Sequence, residues 1–138
     1  MGQINAMLKI TNLIDQSNAE DGLIKPEQIR SLEISVLVDT GATHLCLPSE
    51  AIAQLGLKPI REVLLETAAG PQRTLAYAGS FISLMGREAT FDCVALPNSK
   101  RALLGVFPME ALGIEPDLRN QSLRLLPMDE NQSYMTIY

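Results

Sequence analysis

Val38-Asp39-Thr40-Gly41-Ala42-Thr43 places a carboxylate at the end of an apolar run, Ser31 to Val38, and follows it at once with a hydroxyl and a glycine. A carboxylate at such a position must be held by hydrogen bonds, because a buried and unpaired charge is costly. Held in that way, Asp39 is a candidate for general acid–base work. Gly41 allows a sharp turn and a close approach by another backbone. A second constellation follows directly. His44 and Cys46 are two apart, so on a strand they share a face, and a thiol–imidazole pair is a rival hydrolytic chemistry. Nucleophile and base usually come from separate elements, however, and nothing near this pair looks like an orienting third group. Cys46 is therefore expected as a small core residue and His44 as a loop or surface residue. One histidine and two distant cysteines do not make a zinc site, so neither a metal nor a cofactor is expected.

The elements that must position Asp39 are legible as period-two patterns. Ile4, Ala6, Leu8 and Ile10 alternate with polar or longer residues, as on a strand with one buried face. Leu32, Ile34, Val36 and Val38 do the same and deliver Asp39. Asp15 to Pro26 is polar, with Asn, Asp, Gly and Pro, and reads as a loop. Leu45 to Leu47 reads as a short strand, and Pro48-Ser49-Glu50 opens a helix to about Leu55 that Gly56 ends. Two strands, Ile60 to Glu66 and a bent Thr74 to Leu84 relaxed at Gly79, flank a turn at Thr67-Ala68-Ala69-Gly70-Pro71. Met85-Gly86-Arg87 is a second turn, and Thr90 to Leu96 returns. Leu103-Leu104 is short, apolar and central; Pro108 to Leu112 is a brief helix ended by Gly113. Leu123, Leu125 and Leu126 make a closing strand.

The whole chain narrows the function classes. At 138 residues it reads as one domain, residues 1–138, with 127–138 as a C-terminal extension. Nine glycines and eight prolines suit a strand-rich fold with many turns. The formal net charge of −5 and the lack of a basic cluster argue against nucleic acid as a partner. No apolar run approaches the roughly 20 residues that span a bilayer. With no leader pattern at the N-terminus and two cysteines that form no framework, Cys46 and Cys93, a reduced cytoplasmic setting is expected.

Downstream of the acid lies Arg101-Ala102-Leu103-Leu104-Gly105, an apolar pair and a glycine before a short helical segment. With Asp39-Thr40-Gly41-Ala42 this resembles the single-lobe, retropepsin-like aspartic proteases, and the cellular and bacterial members more than the viral ones. The resemblance runs from about Ile34 to Leu126 and rests on order as well as motif. It implies an all-β, closed barrel-like fold with one or two short helices, and one lobe per chain. It implies that Asp39 is the catalytic acid, that Thr40, Gly41 and Ala42 form the active-site loop, and that Leu103, Leu104 and Gly105 thread behind it. It also implies a mobile, substrate-binding flap at Ala68, Ala69 and Gly70. Val106 and Phe107 follow Gly105 where the family often carries a charged or polar residue that braces the dimer.

Peptide hydrolysis of this kind needs two carboxylates around one water. Two like charges about 3 Å apart cannot both ionise, so the pair shares a proton. Only one Asp-Thr-Gly is present, and Asp15, Asp21, Asp92, Asp117 and Asp129 stand in no similar context. The expectation is a symmetric homodimer with Asp39 from each subunit at the two-fold axis, cutting a peptide or protein substrate. The alternative is a catalytically idle dimeric module that binds peptides or proteins on the same fold.

Overall fold

The computed structural model describes residues 3–127. Nine strands and three short helices follow one another: β1 Asn5–Asn12, α1 Leu13–Glu20, β2 Ser31–Val38, β3 Leu45–Pro48, α2 Ser49–Leu55, β4 Lys58–Thr67, β5 Gly70–Leu84, β6 Arg87–Leu96, β7 Ala102–Leu104, α3 Val106–Leu112, β8 Ile114–Asp117 and β9 Ser122–Leu125. A single turn of 3-10 helix at Pro26–Gln28 precedes β2.

Seven strands form one sheet in the order β1-β2-β7-β3-β6-β5-β4, and a further β1–β5 pairing closes six of them into a barrel. The closure is made by β5. It pairs with β4 as far as Ala78, then with β1 from Ser80 to Ser83. The change of partner falls at a register shift between Tyr77 and Ser80, where Gly79 holds φ +91°. A bulge adds a residue and twist on one side of a ladder, and this lets one long strand leave one neighbour and join another. The bend expected at Gly79 is therefore the hinge of the barrel.

Of the residues that the alternation marks, Ile4, Leu8, Ile10 and Val36 are buried, while Ala6, Leu32, Ile34 and Val38 pack partly buried against the core. Leu8, Ile10, Val36, Leu45, Leu47, Ile82 and Leu104 are fully buried, with Leu55 and Leu112 inserted from the helices. Both α2 and α3 end on a left-handed glycine, Gly56 and Gly113, each with φ +65°. β4 lies outside the closed ring and pairs only with β5, so this hairpin projects as an arm with Ile60, Leu64 and Leu75 exposed.

Four sequence expectations need correction. Part of the Asp15–Pro26 loop is helix α1, because Asn12 caps it by accepting the Asp15 N–H at 2.9 Å. The same Asn12 side chain donates to Leu55 O at 2.7 Å. Helix α3 starts two residues early, at Val106. The turns at Thr67–Pro71 and Met85–Arg87 are tighter than expected: Thr67 pairs with Gly70 and Leu84 with Arg87, which leaves two residues in each turn. Finally, Leu123 and Leu125 lie on β9, which pairs with the unforeseen β8 in a separate two-stranded sheet and does not close the barrel. Pro116 within β8 obscured it, since proline is rare in strands. Most of the extension at 127–138 lies outside the described residues.

Candidate active site

β7 is only three residues long, yet it builds the site. It runs parallel to β2, with Val36 opposite Ala102, Leu37 opposite Leu103 and Val38 opposite Leu104. On its other side it runs antiparallel to β3, with Leu45 opposite Leu104 and Cys46 opposite Leu103. β2 and β3 are thus held apart by the strand between them, and the loop that joins them, residues 39–44, passes over the end of β7.

Hydrogen bonds fasten this loop along its length. Asp39 N–H donates to Leu104 O at 3.0 Å, and Ala42 N–H to Asp39 O at 3.1 Å. On the far side Gly105 N–H donates to His44 O at 3.1 Å. Helix α3 then begins directly against the loop. A helix leaves its first amides without partners inside the helix. Here Val106 N–H donates to Ala42 O at 2.9 Å and Phe107 N–H to Thr43 O at 3.0 Å. The next residue is Pro108, which has no N–H to satisfy. The first bond within the helix runs from Met109 N–H to Gly105 O at 3.2 Å. The early start of α3 has this cause: the carbonyls of the acid-bearing loop serve as its cap.

Two glycines make the arrangement possible through space, not through unusual dihedrals. A Cβ on Gly105 would lie 2.6 Å from His44 O, 2.7 Å from Ala42 O and 2.7 Å from His44 N. A Cβ on Gly41 would lie 3.1 Å from Asp39 Oδ1, the oxygen that accepts the Gly41 N–H at 2.8 Å. Gly41 thus gives room to the carboxylate as well as a donor. Asp39 is half-buried, and its other oxygen takes no hydrogen bond among the described residues, which leaves it open to a water or a ligand. Thr40 is exposed, and its hydroxyl is likewise unbonded among the described residues.

The rival thiol pair is not assembled. His44 Nδ1 shares a hydrogen bond with Thr43 Oγ1 at 2.6 Å, and its ring meets Phe107 edge-on at 5.6 Å between centroids. Cys46 Sγ donates weakly to His44 O, not to the imidazole. Burial, with the Asp39 charge adding to it, pushes the Cys46 thiol up to about 11, and burial with Asp92 pushes Cys93 to about 12. Thiols so shifted are protonated and unreactive near neutrality.

The structure therefore brings Asp39, Thr40, Gly41 and Ala42 together with Leu104 and Gly105, and seats Leu103 between Leu37 and Cys46. Ala68, Ala69 and Gly70 are placed apart, at the tip of the β4–β5 arm, where Thr67 Oγ1 donates to Gly70 O at 2.6 Å and accepts the Ala69 N–H at 3.2 Å. Thr43, His44, Val106 and Phe107 were not expected in the site's framework. Their roles run through backbone groups, which side-chain type does not announce.

No curated protein matches the chain. The solution structure of simian foamy virus (mac) protease is similar to it at 19% identity, over 76% of this chain and 90% of that one, with a TM-score of 0.49. A family model described as aspartyl protease matches residues 26–107, which include β2, the whole Asp39 loop, β7 and the start of α3. That match spans more than half of the 138 residues, and the chain belongs to the aspartyl protease family.

Proposed function

We propose that the chain is an aspartic endopeptidase, one domain per subunit, in which Asp39 from each of two identical subunits forms the dyad. The observation that carries this reading is the state of Asp39: a half-buried carboxylate with one oxygen on the Gly41 N–H and the other open, on a loop pinned at both ends. With two such groups around one water, the ionised carboxylate takes the proton from the water as it attacks the peptide carbonyl. The protonated one donates to the carbonyl oxygen; when the C–N bond breaks, the proton taken from the water passes to the departing amine and a diol hydroxyl returns a proton to the dyad. The β4–β5 arm, tipped by Ala68-Ala69 and Gly70, would close over an extended peptide and exclude bulk water.

Turnover of an unfolded protein or a peptide library, with and without Asp39→Asn, tests the reading. The expected result is cleavage by the parent on the acid side of neutrality and none by the variant, with fold and dimer unchanged. A parent that dimerises and binds peptides without cutting any at any pH would assign the idle binding module instead. A parent that is fully active as a monomer would remove the dyad.

A further inference from the structure

We propose that Arg87 is a positioning residue for Asp39, acting on the acid-bearing loop through helix α3. The inference rests on the aspartic protease reading above and deepens it by naming a group, remote from the carboxylate, on which its placement depends.

Arg87 is the first residue of β6, directly after the two-residue turn that joins β5 to β6. Both residues of that turn are left-handed, Met85 with φ +53° and Gly86 with φ +80°, as in the tightest hairpins. Leu84, on the other side of the turn, is buried and anchors it. From this fixed point the half-buried Arg87 side chain reaches the end of α3. Nη1 donates to Leu112 O at 3.3 Å and to Gly113 O at 3.2 Å, and Nη2 donates to Leu126 O at 2.6 Å. A helix leaves its last carbonyls without partners inside the helix, and a cation suits that end. Leu126 N–H also donates to Gly113 O at 2.8 Å, so the residue that follows β9 is drawn into the same clamp.

A clamp of this kind, taken alone, braces a helix end. It bears on Asp39 because of what the other end of the helix holds. Seven residues span about 10 Å, roughly two turns that move as one piece. At their start, Val106 and Phe107 give their amides to Ala42 O and Thr43 O of the acid loop, and Ala42 N–H is in turn bonded to Asp39 O. Pro108, Met109 and Leu112 are buried and set how deep the helix lies. Apolar burial is non-directional, so it opposes sliding along the helix axis only weakly. The hydrogen bonds at the two ends are directional, and at the far end Arg87 supplies them. Without its guanidinium the helix is free to shift along its axis and to take Ala42, Thr43 and Asp39 with it.

Amide hydrogen exchange and steady-state peptide turnover on Arg87→Met test this, since methionine keeps the apolar stem and removes every donor. The Val106 and Phe107 amides should exchange about 10-fold faster than in the parent, while those of Leu8 and Ile82 in the barrel stay near the parent's rates. The turnover number per folded molecule should fall roughly 10-fold at an unchanged KM, as a displacement of about half an ångström in a reacting group does. Arg87→Lys, which keeps the charge and one donor point, should lie between the two in both measurements. Arg124→Met, which removes an exposed guanidinium bonded to Glu115, should match the parent. Faster exchange spread evenly over the barrel would make Arg87 a brace of general stability and overturn the inference. So would a parental turnover number, or a loss confined to KM. A parent that cleaves nothing refutes the proposed activity alone, since the two amides still decide whether Arg87 holds the loop.

Discussion

Gly105 and His44 are joined through their backbones with no space between them. The Gly105 N–H donates to His44 O at 3.1 Å, and a Cβ on Gly105 would come within 2.6 Å of that same oxygen. Two further backbone atoms, Ala42 O and His44 N, stand at 2.7 Å from the same point. Backbone cannot swing aside as a side-chain end can, so only a hydrogen fits. The apolar-apolar-glycine step behind the acid loop is thus a packing requirement between two chain segments.

Gly105→Ala should accordingly cost about 1–3 kcal/mol, the range for forcing extra volume into a packed site. The fraction that remains folded should have the Asp39 loop pushed away from β7. Urea denaturation gives the stability, and turnover per folded molecule should drop at least as much as for any conservative change in β7. A variant as stable and active as the parent would show that the loop is free to shift.

Gly41→Ala makes a different prediction. Its Cβ would crowd one carboxylate oxygen at 3.1 Å, not a wall of backbone. The fold should survive, while Asp39 turns from its place on the Gly41 N–H. A displacement on the order of 1 Å in a reacting group costs roughly 100-fold in rate. Steady-state kinetics should show this loss mostly in kcat, with an unfolding midpoint near that of the parent.

The stability of the folded chain should depend on pH through Asp15. Its carboxylate takes Arg30 Nε at 2.8 Å, Arg30 Nη2 at 3.0 Å and the Arg30 N–H at 3.0 Å. The Arg30 side-chain hydrogen bond is the main cause that holds its pKa below the usual carboxylate range, against an opposing effect of burial. A group with a lowered folded value stabilises the fold above its unfolded value and loses that contribution as pH falls through the folded one. The difference in unfolding free energy between parent and Asp15→Asn should therefore be constant from neutrality down to about pH 5, and shrink below about pH 4. Urea titrations at several pH values would show it. A difference that grows on acidification would mean that the pair does not hold in solution.

The cysteines should be bystanders to catalysis. With Cys46 pushed up to about 11 and Cys93 to about 12, alkylation of the native protein at pH 8 should be slow, and fast once urea unfolds it. Cys46→Ala and His44→Ala should each keep the turnover number within a few-fold of the parent when assayed at saturating protein concentration. Loss of all activity in a folded Cys46→Ala variant would restore the thiol chemistry.

Much of this protein can be read from order along the chain. Alternation at Ile4 to Ile10 and at Leu32 to Val38 identifies the strands because a sheet with one buried face repeats every two residues. Gly56 stops α2 because a left-handed residue is needed there and glycine adopts it without strain. Asp39-Thr40-Gly41 with Leu103-Leu104-Gly105 points to the aspartyl protease family across more than 60 residues of intervening chain. What the sequence leaves open are relations between distant backbone groups. Asn12 and Asp15 look like loop residues until Leu55 O and Arg30 are placed beside them, and then they cap and brace α1. Val106 and Phe107 look like an apolar lead-in to a helix that starts at Pro108. Only in the folded chain do the carbonyls of Ala42 and Thr43 take their amides and move that start forward. Side-chain pattern is local and survives in one dimension. A hydrogen bond between residues 43 and 107, or a strand three residues long between β2 and β3, exists only once the barrel has closed around it.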